Sequence, residues 1–383
     1  MRIAMIGTKG IPAKWGGIEV YVQEIAERLL GKGHDVTVYS RRWFSGDIES
    51  SNGIKVLKTP TIKTKSTDAL LHGLTSSIHS AFSKFDVVHY HGLASYFYPF
   101  IPRMAGKKAV ITMHANSWVE PKWNGLAVNT LKTATMFGIN VADAVTAISP
   151  VLKEYIRRVS DRNVILTPPG VSIGSYKEPV NISREFGLKR NEYILFIGRL
   201  DTVKRVDLLI NAFKALEYFP YKLVITGDPG PSDGRQYRDQ LIRAAKGDNR
   251  IIFTGFQSGA IKEELLSNCR IVTLPSLNEG VPLALLEGMS YGRACLASDI
   301  PAHSCIVSDG VTGYLADADS IETFKQKLQK VLTTDNNKLN LVGKEASEYV
   351  FQKFNWDNTV DSLEKLYLSL VSHRLKRKYE KSA

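Results

Sequence analysis

Short runs rich in Val and Ile alternate with longer periodic or polar segments along almost the whole chain, and the series occurs twice. The first series comprises Arg2–Gly7, Asp35–Arg41, Asp86–His91, Lys108–His114, Ala144–Ile148 and Asn163–Thr167. The second comprises Tyr193–Gly198, Lys222–Gly227, Arg250–Gly255, Arg270–Pro275 and Ala294–Ser298. Near-continuous apolar runs separated by helices are the pattern of strands buried on both faces of a parallel sheet. The intervening helices carry their own signals. Ile18–Leu30 sets Val22, Ile25, Ala26 and Leu29 on one stripe and closes at Gly31 and Gly33. Arg205–Leu216 and Leu283–Tyr291 are helical in the second series, and the chain ends in helical segments Ile321–Leu332, Lys338–Phe351 and Thr359–His373.

At 383 residues the chain exceeds one ordinary core and suits two α/β domains. Pro, Gly and Ser interrupt the rhythm over Pro168–Arg190, which marks a linker. The expected division is a first doubly wound, Rossmann-like domain over 1–172, a linker over 173–190, a second such domain over 191–355, and a helix with a basic tail over 356–383. Two doubly wound domains in series leave a cleft between the carboxyl ends of their sheets, so the loops leaving those strand ends carry the most functional information.

Residues 1–180 hold 22 Lys/Arg against 13 Asp/Glu, residues 181–373 hold 23 against 24, and RLKRKYEKSA at the end holds five against one. The uneven placement points to an acidic partner such as anionic lipid head groups and not to nucleic acid; a basic surface kept for solubility is the alternative. The aromatics of Leu93–Lys108, beside Arg103, Lys107 and Lys108, fit such a surface and fit equally a helix behind the third strand. No stretch reaches the roughly 20 apolar residues of a membrane span. The N-terminus MRIAMIGTKG runs straight into a strand, so no signal peptide is expected. Cys269, Cys295 and Cys305 lack metal-binding spacing and read as thiols of a reducing compartment. A cytoplasmic protein, peripheral on the inner membrane face, is the expectation.

The strand ends of the second series are chemically distinctive. Gly198-Arg199 closes one strand and Lys204 opens the next helix; a planar guanidinium and a point charge there can converge on a diphosphate. PSLNEGVPLALLEGMSYG (Pro275–Gly292) sets Glu279, Gly280, Val281 and Pro282 just before an apolar helical run starting at Leu283, with Glu287 further along. Helix-start amides make an anion and hydroxyl site, and a carboxylate, acceptor-only with two oxygens, suits sugar hydroxyls and a ribose diol.

The segments GRLDTVKRVDLLINAF, TGDPG (Thr226–Gly230), FTGF (Phe253–Phe256), Glu279-x7-Glu287 and FNW (Phe354–Trp356) together resemble the retaining glycosyltransferases of family 4. The resemblance implies a GT-B fold, with two Rossmann-like domains facing across a cleft and a C-terminal helix crossing back to the first. By that resemblance Arg199 and Lys204 bind the donor diphosphate, Glu279 the transferred sugar and Glu287 the ribose. Backbone groups just after Gly255, at Phe256, are expected near the nucleobase, while Gly227, Gly255, Gly280, Val281, Pro282 and Leu283 belong to the donor site. In the first domain, Gly16 and Gly17 in IGTKGIPAKWGG lead into Glu19 and an amphipathic helix, and resemble the family's donor-phosphate loop. That form is similar to a subgroup that includes polysaccharide-assembly rhamnosyltransferases. It is neither GxGxxG nor a P-loop. His114, at a strand end, matches a family histidine that contacts the donor sugar. Many relatives carry Gly-x-Asp directly after it; here the residues are Ala115, Asn116 and Ser117, which leaves acceptor specificity open.

Asp317-Ala318-Asp319 spells the Asp-x-Asp of metal-dependent transferases, but precedes a helix and reads as a cap in which Asp319 or Ser320 serves as N-cap. With Arg199, Lys204 and helix amides at the diphosphate, neither metal nor cofactor is expected. The implied reaction moves a hexose or deoxyhexose from a nucleoside-diphosphate sugar to a saccharide acceptor, lipid-linked in cell-surface polysaccharide assembly, through an oxocarbenium-like transition state. Other activities on the same fold are a sugar-nucleotide epimerase, a phosphorylase, or a silent nucleotide-sugar-binding subunit.

Overall fold

The structure, a computed structural model, describes residues 1–13, 16–62, 67–115, 125–216, 219–229 and 234–380. Asn116, Ser117, Gly230 and the last three residues of the basic tail lie outside the described residues. The chain divides into two compact units, Met1–Gly170 with Trp356–Ala383, and Val171–Asn355.

The strands of the first unit are β1 (Arg2–Ile6), β2 (Asp35–Ser40), β3 (Ser50–Ser51), β4 (Ile54–Lys58), β5 (Val87–His91), β6 (Lys108–Met113), β7 (Ala144–Ala147) and β8 (Val164–Leu166). They form one sheet in the order β3-β4-β2-β1-β5-β6-β7-β8, parallel except where β3 meets β4. The central strand β1 pairs in register with Asp35–Val38 on one side and Val87–Tyr90 on the other. Its Ile3, Ala4, Met5 and Ile6 are fully buried, as a strand covered on both faces requires. The first helix, Gly17–Gly31, buries the expected stripe Val22, Ile25, Ala26 and Leu29. The segment Leu93–Lys108 folds as a 3₁₀ turn, Leu93–Phe97, and a short helix, Phe100–Met104. Tyr96 is buried there and donates to the Thr112 carbonyl.

The helix Trp356–Glu380 belongs to this first unit. Trp356 packs on Gly170, where a Cβ would come within 2.3 Å of the Trp356 amide nitrogen. Arg28 pairs with Asp357 (3.2 Å), and Lys32 pairs with Asp361 (2.8 Å) and Glu364 (3.0 Å).

The second unit holds β9 (Tyr193–Ile197), β10 (Lys222–Thr226), β11 (Ile251–Gly255), β12 (Ile271–Leu274), β13 (Ala294–Ser298) and β14 (Tyr314–Ala316). Its sheet is all parallel, in the order β11-β10-β9-β12-β13-β14. Phe196, Phe213, Leu285, Leu296 and Phe324 lie in one continuous core.

The segment 173–190, expected as a linker, is part of this second unit instead. It contains the helix Val180–Phe186, whose first amides donate to a carboxylate on another helix: Asn181 (2.8 Å) and Ile182 (3.0 Å) to Glu264 Oε2. Pro, Gly and Ser composition signals irregular backbone; it does not reveal whether that backbone is packed. Tyr314–Ala316, just before Asp317, forms the edge strand β14.

Candidate active site

The strand order decides which loops meet in the second unit. β9 lies beside β12 in parallel register, Ile194 against Ile271 and Leu195 against Val272, and the sheet builds outward from this pair in opposite directions. Loops leaving the carboxyl ends of two such strands diverge and open a crevice, the usual ligand position in an open α/β sheet. The loop after β9 carries the 3₁₀ turn Thr202–Lys204, and the loop after β12 carries Ser276 and Glu279. A backbone bond from the Leu277 amide to the Val203 carbonyl (2.8 Å) ties the two loops together. Arg205, left-handed at φ 49°, turns the chain into the helix Val206–Lys214.

Lys204 Nζ forms an ion pair with Glu279 Oε1, their side chains only 17% and 10% exposed. The Ser276 hydroxyl donates to the same oxygen at 2.7 Å. Burial pushes the Glu279 carboxyl upward, but the Lys204 charge and hydrogen bond, His303 and Ser276 outweigh it and hold the group below its ordinary value. Glu279 is therefore an ionised acceptor at neutral pH, fixed in position. Arg199 is half exposed and pairs with Asp201 at 2.9 Å, leaving part of its guanidinium in solvent. Glu287 sits on the helix Leu283–Ser290 and pairs with Lys262 at 2.7 Å. Pro282 caps that helix, its carbonyl accepting from the Leu285 (3.0 Å) and Leu286 (3.1 Å) amides, with Gly280 and Val281 in the loop just before. The amides of Leu283 and Ala284, at the helix start, have no intrahelical acceptor.

Gly227, at φ 143°, lies so close to the loop after β9 that a Cβ there would stand 1.8 Å from the Gly198 carbonyl oxygen. Only glycine allows the ends of β9 and β10 to touch in this way. The Gly227 amide donates to the Gly255 carbonyl at 2.9 Å, and Phe256 comes next, half exposed.

In the first unit His114 lies just past the end of β6, 8% exposed, its ring set edge-on against Tyr21 at 4.8 Å. Its Nε2 lies 3.0 Å from His91 Nδ1. Burial holds His114 down to about 3, so the imidazole is neutral. Gly16 caps the helix Gly17–Gly31 at φ 101°, and a Cβ would sit 2.0 Å from Glu19 Oε2. Glu19 is buried and accepts from the Lys9 amide at 3.1 Å, holding the Gly16–Gly17 turn against the loop after β1.

Thus Lys204 and Glu279 are brought together directly. Arg199 is engaged by Asp201 and Glu287 by Lys262. Sequence reasoning missed Ser276, Lys262, His91 and the role of Glu19. Ser276 and Glu19 were signalled by their neighbours Glu279 and Gly16, and His91 by its place at the end of a strand, as for His114; Lys262 had no local signal.

Asp317 Oδ1 accepts from the Asp319 amide at 2.8 Å, and the Ser320 hydroxyl caps the helix Ile321–Leu332 by accepting from Glu322 (3.2 Å) and Thr323 (3.4 Å). The cap is therefore Ser320, and Asp317 braces the turn before it. Among the described residues no group of three or more His, Cys, Asp or Glu is arranged to hold a metal ion, and no helix is long and apolar enough to cross a membrane.

Comparison with known proteins adds to this geometry. Residues 181–368 match the family described as glycosyl transferases group 1, and residues 15–174 match glycosyltransferase family 4. The chain is 25% identical to an uncharacterised glycosyltransferase of Methanocaldococcus jannaschii, over 96% of this chain and 98% of that one. It is 26% identical to the UDP-Gal:α-D-GlcNAc-diphosphoundecaprenol α-1,3-galactosyltransferase of Escherichia coli, over 76% and 77%. Its fold is that of the sucrose-phosphate synthase of Thermosynechococcus elongatus, with TM-score 0.85, 22% identity and coverage of 97% and 99%. The Anabaena protein HepE, solved with UDP and glucose, gives TM-score 0.79 at 18% identity, over 96% and 100%.

Proposed function

Because the chain belongs to the family 4 glycosyltransferases of GT-B type, we propose that it is a retaining, metal-independent enzyme that moves a hexose or deoxyhexose from a nucleoside-diphosphate sugar to a lipid-linked saccharide in cell-surface polysaccharide assembly. The observation that carries the proposal is the buried Lys204–Glu279–Ser276 constellation at the carboxyl ends of β9 and β12. Glu279 uses one oxygen for Lys204 and Ser276, which leaves its second oxygen to accept from the sugar's hydroxyls. Lys204 keeps two further N–H donors for the diphosphate, joined by Arg199 and the Leu283 and Ala284 amides. Glu287 takes the ribose diol, the backbone just after Gly255, at Phe256, borders the base, and Gly227 lies in the donor site. His114 is assigned a hydrogen bond to the reacting sugar.

As the bond from the anomeric carbon to the diphosphate breaks, negative charge grows on the leaving phosphate oxygens, where these donors are fixed in advance. Attack on the same face, with the leaving phosphate taking the acceptor's proton, gives retention without a carboxylate nucleophile. The Escherichia coli relative's named acceptor, a sugar diphosphoundecaprenol, supports a lipid-linked acceptor. The basic surplus of residues 1–180 and of the tail supports attachment to an anionic membrane face in the cytoplasm.

The test is nucleoside diphosphate release from a panel of nucleotide sugars, with and without undecaprenyl-diphosphate saccharides. Release that depends on the acceptor, with anomeric configuration kept in the product, is expected. Isomerisation of the donor without acceptor, or no turnover with any donor, refutes transfer.

A further inference from the structure

Three histidines occupy neighbouring positions in the first unit, and their hydrogen bonds are unequal. His89, on β5, is saturated: Nδ1 lies 2.6 Å from the Tyr367 hydroxyl and Nε2 lies 2.6 Å from Thr112 Oγ1. His91, two residues along the same strand and fully buried, packs against His89 with ring centroids 4.1 Å apart and the ring planes tilted by 43°. Its Nδ1 meets His114 Nε2 at 3.0 Å, while its Nε2 is buried with no partner among the described residues. Burial lowers the proton affinity of all three, with His89 and His114 at about 3 and His91 well below its usual value. All three rings are therefore neutral at physiological pH, and each carries one proton.

One nitrogen of the His91–His114 contact must donate and the other accept. A proton on His91 Nε2 would be a buried N–H with no acceptor, a rarer and costlier arrangement than a bare lone pair. The His91 proton therefore sits on Nδ1 and points at His114 Nε2. His114 Nε2 must then accept, which forces the His114 proton onto Nδ1, a nitrogen with no hydrogen bond to any described residue.

We infer that His91 is a positioning residue that locks His114 in its Nδ1–H tautomer, so that His114 offers a hydrogen-bond donor to the substrate and cannot act there as a base. Tyr367, from the C-terminal helix, completes the assembly by fixing His89, against whose ring His91 packs. The inference rests on the role proposed for His114, which recognises a sugar oxygen with lone pairs to give.

The full chain, labelled with ¹⁵N-histidine, tests it by long-range ¹H–¹⁵N spectra, with His114 assigned by its loss in His114→Gln. The expected wild-type pattern for His114 is Nδ1 protonated and Nε2 bare. His91→Leu should shift His114 towards the Nε2–H form and lower kcat by about tenfold, the worth of one good hydrogen bond, with KM for the nucleotide sugar little changed. His91→Asn, whose amide can donate in place of Nδ1, should restore both the tautomer and most of the rate. A wild-type His114 protonated at Nε2, or a tautomer unmoved in a folded His91→Leu protein, overturns the inference whatever the rates. Full activity in His114→Ala would instead remove the sugar contact assigned to His114 and leave the tautomer result standing.

Discussion

Replacing Lys204 with Met tests whether the ion pair at the centre of the site is structural as well as functional. Lys204 and Glu279 are 17% and 10% exposed, so the mutation leaves a mostly buried carboxylate with the Ser276 hydroxyl at 2.7 Å and the nearby His303 to support it. Breaking a buried pair by removing one partner costs about 3–5 kcal/mol. The remaining hydroxyl and the residual opening to water set the expectation at the lower end, about 3 kcal/mol. For a unit of this size that lowers Tm by about 6–12 °C. Glu279→Gln neutralises the other partner, and in the double variant neither charge is orphaned. The double variant should therefore be more stable than the sum of the singles implies, by about 2 kcal/mol of coupling. Calorimetric unfolding of the four proteins, each also titrated with a nucleoside diphosphate below its transition, separates stability from binding. The Lys204→Met protein should lose about 1.5–3 kcal/mol of nucleotide affinity while still folded. Additive single effects, with coupling below about 0.5 kcal/mol, would refute the pairing.

Glu287→Ala removes only a pair whose side chains are each 31% exposed, so stability should move by less than about 1 kcal/mol while calorimetric titration shows weaker donor binding. Unchanged affinity would exclude Glu287 from the ribose site. Turnover should survive excess EDTA; loss on chelation with rescue by Mn²⁺ would return attention to Asp317 and Asp319. Binding to anionic vesicles should fall with salt and on deletion of residues 374–383, and sedimentation with neutral vesicles alone would count against an electrostatic attachment. Acid should destabilise the first unit. Burial lowers His72 to about 4, with the Arg41 charge adding to the effect, and lowers His89 and His114 to about 3. Their contribution is complete above the unfolded value near 6.5 and is lost as pH falls from there through the folded values. His91 is lowered by burial as well, so four groups take part and the slope should reach about 5 kcal/mol per pH unit; a Tm that stays level from pH 7 to 5 would contradict it.

The strand runs were legible because their signal is local: an apolar stretch buried on two faces looks the same wherever it pairs. The stripe Val22, Ile25, Ala26 and Leu29 and the carboxylates Glu279 and Glu287 could be picked out on the same basis, since turn chemistry and helical period are written within a few residues; Gly227 was expected only from the family resemblance. Short elements were not legible. Ile54–Lys58 and Tyr314–Ala316 are too brief for periodicity to register, and the packing of 173–190 depends on Glu264, a residue distant in the chain. The order of the strands also lay beyond local pattern, and that order creates the site. β9 neighbours β12 and not β11, so Lys204 meets Glu279 across 75 residues. The pairing of β5 with β6 likewise sets His91 against His114. The sequence by itself determined which side chains stand at strand ends. Tertiary structure alone decided which of them share a buried proton or a charge, because those energies depend on distance and burial, and neither is a property of chain position.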